Sequence, residues 1–145
     1  MSGARARDDL AREAYGAMRS FVLDDERRRQ VSDALGISFG KLRALLRLVG
    51  EPLAMGDLAA RLQVDRPNLT TLVNDLELLG LVERRAHPRD GRVRLVGVTA
   101  SGEVLARRAQ EILGRPPEEF ASLTTEDLGA LVRILRAATS HALAT

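Results

Sequence analysis

Between Arg84 and Arg94 the chain places five arginines, at 84, 85, 89, 92 and 94, against the single acid Asp90. Guanidinium groups are planar, permanently charged donors that grip phosphate oxygens. Eleven residues with a local charge of +4 are suited to a polyanion. An exposed hairpin kept polar to block strand addition accounts for charge but not for one sign. Upstream lie Arg66, Asn68, Thr70, Thr71 and Asn74. Their small amides and hydroxyls reach base edges and phosphates without bringing a long side chain. By itself this set also describes the polar outer face of any amphipathic helix, and it is the basic segment behind it that points to a nucleic acid.

Other chemistries find no support. The 145 residues include no Cys, which removes disulfides, thiolate metal sites and cysteine redox switching. The two histidines, His87 and His141, lack metal-ligand spacing, so no metal is expected. Neither a phosphate-binding glycine loop nor a nucleophile elbow is found, so no catalytic residue, cofactor or enzyme activity is expected. Readers of single-stranded RNA stack bases on aromatic rings, yet Tyr15, Phe21, Phe39 and Phe120 all lie outside the basic segment. The sequence pI is about 9.9, although 22 Lys+Arg against 20 Asp+Glu leave a net charge of only +2. Lys41 is the one lysine, so almost nothing titrates between neutrality and pH 10 and the pI overstates surface basicity. No apolar run approaches the roughly 20 residues of a membrane-spanning helix, and Arg5 and Arg7 are not followed by a leader-like apolar stretch. The chain is expected to be cytoplasmic.

The elements that position these residues fall into three zones, 1–52, 53–98 and 99–145. The first reads as two helices. One carries Leu10, Ala14, Ala17, Met18, Phe21 and Val22 at helical spacing and runs into the mixed-charge stretch Asp24–Arg29, read as a solvated face. The other carries Leu42, Leu45, Leu46 and Val49 and stops at Gly50 and Pro52. In the second zone a short helix, about Gly56 to Leu62, breaks at Gln63-Val64-Asp65. A helix from about Arg66 to Leu79 follows, with Asp65 as N-cap, Pro67 in the first turn and Gly80 past the end. Its docked side is read as Leu69, Leu72, Val73, Leu76 and Leu79. Leu81–Ala86 and Arg92–Val98 flank a Pro88-Arg89-Asp90-Gly91 turn and read as a hairpin, with Arg92 and Arg94 on one strand face. In the third zone Thr99 caps a helix to about Leu113, and Thr124 with Asp127 opens a last helix whose apolar face is wide. The fold class is mostly α with a small β-hairpin wing: a winged helix-turn-helix flanked by long N- and C-terminal helices.

From about Met55 to Leu105 the sequence runs MGDLAARLQVDRPNLTTLVNDLELLGLVER, then HPRDGR, then VTASGEVL. In order and spacing it resembles the MarR (multiple antibiotic resistance regulator) family, with its two reading helices, its D-x-R-D-x-R wing and its T-x-x-G-x-x-L helix opening. The resemblance implies a homodimer whose residues 1–52 support and dimerise, whose residues 53–98 bind double-stranded DNA, and whose residues 99–145 dimerise. It implies a transcriptional regulator, a repressor, on a near-palindromic operator. Release by a small phenolic or aromatic acid belongs to the same implication, with Tyr15, Arg19, Arg43 and Arg47 as candidate cleft residues that read equally as surface groups. Asn68, Thr70, Thr71 and Asn74 fall at major-groove positions, with Arg66 at the helix start. Arg84, Arg89, Arg92 and Arg94 fall on the wing, with Asp90 orienting Arg92. The alternative is a winged helix used for protein contacts without DNA readout. Three departures stand out. His87 replaces the first wing acid, leaving its role open. Thr71 and Asp75 stand where the family often has Arg. Ala54 stands where a capping Ser or Thr is common, which weakens the first reading helix by about 1 kcal/mol.

Overall fold

The computed structural model describes residues 2–22 and 25–142, so Asp24 of the mixed-charge stretch lies outside the described residues. The chain divides into two compact units, Met1–Gly114 and Arg115–Thr145. In the first unit the order is α1 (Ser2–Val22), α2 (Asp25–Leu35), α3 (Phe39–Leu48), β1 (Leu53–Ala54), α4 (Met55–Leu62), α5 (Arg66–Leu78), β2 (Val82–Ala86), β3 (Arg94–Val98) and α6 (Ala100–Leu113). The second holds a 3-10 turn, Glu118–Ser122, and α7 (Thr125–Ala142).

Residues 1–52 thus hold three helices where two were read from the periodicity. The mixed-charge stretch forms its own helix, α2, ended by Gly36 at φ +69, a left-handed position that favours glycine. Ser38 then caps α3, its side chain accepting from the Lys41 N–H. Ion pairs between residues three apart, Arg28 to Asp25 and Arg29 to Glu26, run along the outside of α2. Arg27 instead turns inward and donates to the Leu113 carbonyl at 3.2 Å, satisfying an end carbonyl of α6.

The core of this unit gathers Val31 of α2, Leu42, Leu45 and Leu48 of α3, Leu58 and Leu62 of α4, Leu69, Val73 and Leu76 of α5, Val96 of β3, and Ala106 and Ala109 of α6. With Leu53 of β1 and Val82 of β2 also buried, every element of residues 53–98 shares one packed interior, which fixes α5 against α3 and α4. By contrast, residues 3–20 of α1 are all exposed, including Leu10, Tyr15 and Met18.

The sheet is three-stranded and antiparallel in the order β1-β3-β2. The hairpin register runs from Val82 opposite Val98 to Ala86 opposite Arg94. β1 adds Leu53 opposite Val96 and Ala54 opposite Leu95, a strand too short for its sequence to show alternation. It ties the base of the wing to the residue immediately before α4. That residue, Ala54, provides no side-chain cap. Ala54→Ser, whose extended backbone there already suits a cap, is expected to raise stability by about 1 kcal/mol, read as a higher denaturant midpoint at unchanged slope.

In the second unit Asp127 donates its backbone N–H to the Thr124 hydroxyl, which in turn donates to the Asp127 carboxylate. Leu128, Leu131 and Leu135 of α7 are half-buried, while Val132 and Ile134 are exposed.

Candidate nucleic-acid interface

The face in question is built on α5. Asp65 accepts from the Asn68 backbone N–H and from its side-chain Nδ2, both at 2.8 Å, and so closes the first turn. Pro67 sits within that turn, where its missing N–H costs nothing. Leu69, Val73 and Leu76 are fully buried and Leu72 is half-buried. Leu79 departs from the docked set, being 53% exposed. The helix ends in a Schellman turn, Gly80 N–H donating to the Glu77 carbonyl and Leu81 N–H to that of Leu76. The turn, with Gly80 at φ +71, brings buried Leu81 to the body where periodicity alone would have placed Leu79.

Arg66, Asn68, Thr70, Thr71 and Asn74 are all exposed. The two threonines donate their hydroxyl protons to carbonyls one turn back, Thr70 to Arg66 and Thr71 to Pro67. The acids of this helix do not face outward uncompensated. Asp75 pairs with Lys41 of α3 at 3.0 Å, and Glu77 pairs with Arg84 of β2. Neither pair was legible in the sequence, because each depends on how another element, α3 or β2, packs against α5.

The wing departs from the sequence reading in two respects. Five arginines do crowd it, but Arg84 is taken by Glu77 and Asn74, and Arg85 by Glu83 at 2.6 Å. Glu77 and Glu83 lie just outside the eleven-residue count, which therefore overstated the free charge. Arg89, Arg92 and Arg94 are exposed, and no ion pair joins them to an acid among the described residues. Arg92 lies in the turn rather than on β3, so it does not share a strand face with Arg94. The loop instead places Arg89 and Arg92 at the tip and Arg94 at the first rung.

The tip is shaped by backbone bonds. His87 N–H donates to the Val93 carbonyl at 2.9 Å and Val93 N–H to that of Asp90 at 3.0 Å. The Asp90 carboxylate accepts from the backbone N–H of Arg92 at 3.0 Å, so it orders the turn rather than gripping the guanidinium. His87 Nδ1 accepts from the Arg89 N–H at 3.0 Å, an acceptor role that a carboxylate could also fill.

The wing is joined to α6 through the Thr99-Ala100-Ser101-Gly102 segment. The Thr99 hydroxyl donates to the Gly80 carbonyl and accepts from the Gly102 N–H, while Thr99 N–H donates to the Leu81 carbonyl. A Cβ on Gly102 would run into the Leu81 carbonyl oxygen and lie 2.7 Å from Val98 Cγ1. This junction, with Lys41 and Glu77, is the positioning machinery around α5.

Among the described residues no group of three or more His, Cys, Asp or Glu could hold a metal ion. No helix among them is long and apolar enough to cross a membrane. Of the candidate cleft residues, Arg19 lies over the Tyr15 ring at 6.0 Å, and Arg43 and Arg47 are exposed on α3.

Residues 35–93 match the family model described as MarR family. An HTH-type transcriptional regulator of Mycobacterium leprae, itself uncharacterised, is 40% identical over 79 residues, covering 52% of this chain and 55% of that protein. The match thus spans about half the length of that curated relative. A transcriptional regulatory protein assigned to the hcr operon of Thauera aromatica is 28% identical over 146 residues, 92% of this chain and 88% of that one. The fold is that of the multiple antibiotic-resistance repressor of Listeria monocytogenes, with a TM-score of 0.73, 18% identity and full coverage of both chains. In the residues that the family model matches, and in these relatives and this fold, the winged helix-turn-helix of this chain is similar to the MarR family.

Proposed function

We propose that the protein is a sequence-specific double-stranded DNA-binding transcriptional regulator. The observation that carries this reading is the pairing of two surfaces within one compact unit. One is an exposed face of neutral hydrogen-bonding groups on α5, and the other is a wing tip whose Arg89, Arg92 and Arg94 have no acid partner among the described residues. Residues 53–98 serve as the reading domain, α5 entering the major groove and the tip arginines the flanking minor groove, where negative potential is strongest.

A homodimer is the assembly that exposed apolar groups on the flanking segments 1–52 and 99–145 support: Leu10, Tyr15 and Met18 on α1 and, separately, Val132 and Ile134 on α7. Two-fold symmetry then calls for a near-palindromic operator. Where the operator overlaps a promoter, occupancy excludes polymerase and represses. A small phenolic or aromatic acid would release the DNA only through different affinities for the bound and released wing spacings. The site of action is the cytoplasm.

The test is base preference. Asn68→Ala and Thr71→Ala are each expected to relax the choice of base pair at one position per half-site by about 1 kcal/mol, the lower end of what base-edge contacts contribute. The readout is competition between operator variants, and an unaltered preference in both variants would remove α5 from the interface. A second reading, a protein-contact module, is favoured by Leu78 at 87% exposure beside Leu79 at 53%. It takes over if the protein prefers no duplex sequence.

A further inference from the structure

The side chains on α5 are not free to turn either way toward a base. Asn74 meets Arg84 of β2, whose Nη2 lies 2.7 Å from Asn74 Oδ1 while the other terminal nitrogen is held by Glu77. Arginine has donors and no acceptor, so the atom it meets on Asn74 must be the carbonyl oxygen. The amide is thereby clamped with its NH2 directed away from Arg84. Asn68 is held the opposite way. Its partner Asp65 is a carboxylate, an acceptor only, so the atom it meets must be Nδ2, which leaves Oδ1 uncommitted. Between them Thr70 and Thr71 have already donated their protons to the helix and present lone pairs and methyl groups.

Resting on the reading of α5 as the DNA-contacting helix, we propose that Arg84 is a positioning residue and not a phosphate contact. By gripping Oδ1 it makes Asn74 a hydrogen-bond donor toward DNA. The base facing Asn74 therefore presents an acceptor in the major groove, guanine O6 or N7, thymine O4 or adenine N7, and is not cytosine. Asn68, held by Asp65, presents an acceptor and suits an amino group, adenine N6 or cytosine N4. The polarity of readout along the helix is set by partners that themselves touch no base. Arg84 thus leaves the set of wing arginines that hold DNA, although it remains necessary for specificity.

The experiment is selection of bound duplexes from a randomised pool, with salt titration of the selected site, for the unaltered protein, Asn74→Asp and Arg84→Met. Asn74→Asp keeps the oxygen that Arg84 grips and replaces the outward NH2 with an acceptor. It is expected to raise the relative affinity for cytosine, which offers a donor and no acceptor there, by about tenfold at one position per half-site. Arg84→Met keeps much of the aliphatic stem. It is expected to flatten the preference at that same position, leaving other positions and the salt slope unaltered. The proposal is overturned if Asn74→Asp brings no gain for cytosine at that position. It is also overturned if Arg84→Met keeps the base preference and lowers the salt slope by about one per protomer, the mark of a lost phosphate contact. Should Arg84→Met fail to fold, Asn74→Asp alone decides. Enrichment of no sequence by the unaltered protein is a different result, which removes the DNA-binding reading itself.

Discussion

Gly102→Ala is expected to destabilise the protein by about 3 kcal/mol, at the upper end of what overpacking costs. For a domain of this size that lowers the thermal midpoint by roughly 10 °C. The methyl group has nowhere to go, since the Leu81 carbonyl oxygen occupies its place and Val98 closes the other side. Leu81 cannot retreat easily. Its carbonyl accepts from Thr99 N–H and its own N–H completes the turn that ends α5. Relief of the clash must therefore shift either the start of β2 or the first turn of α6, both of which support the wing. Melting followed by circular dichroism checks the prediction, and a midpoint within a degree or two of the unaltered protein would show that α6 is not packed this closely. The same substitution should weaken DNA binding beyond its effect on the folded fraction, because it moves the wing relative to α5.

The second large effect belongs to the wing tip. Replacing Arg89 and Arg92 together by Ala is expected to lower affinity for the operator by two orders of magnitude or more at low salt, because charge-assisted contacts contribute roughly 1.5–3 kcal/mol each. Two such contacts are lost per protomer. Each contact to DNA releases about one counterion, so the slope of log affinity against log salt should fall by about four per dimer. Sequence preference along the α5 contacts should survive, since these arginines position the protein and do not read major-groove edges. An unaltered slope with full affinity would remove the tip from the interface. Arg85→Ala provides the contrast. Its guanidinium is held by Glu83 and packs on Gly97, so the salt slope should remain nearly unaltered.

The difference between these arginines shows where sequence reasoning reaches and where it stops. The cap at Asp65, the glycine ending α5, the turn at the wing and the Thr99 cap are local devices whose partners lie within a few residues, and each stands where its residue type indicates. The helix α5 was legible for the same reason, its apolar spacing and its cap lying in one short stretch. The grip of Glu77 on Arg84 and of Lys41 on Asp75 depends on how β2 and α3 pack against α5, and counting charge within a window of sequence cannot see it. The two-residue strand β1 was hidden because pairing with β3, not alternation, defines it. Leu79 was misplaced because a helical period was extended through a turn that ends the period. The break before α3 lay in a glycine and a capping serine masked by apolar residues on either side.

The central claim is that α5 and the wing form one DNA-reading surface on a symmetric dimer. Selection from a randomised duplex pool, followed by salt titration of the winners, tests it most directly. The expected result is enrichment of near-palindromic sites whose half-sites are centred about one helical turn, roughly 10 base pairs, apart or a multiple of it, with affinity falling steeply as salt rises. Enrichment of no sequence, or binding indifferent to salt, would contradict it.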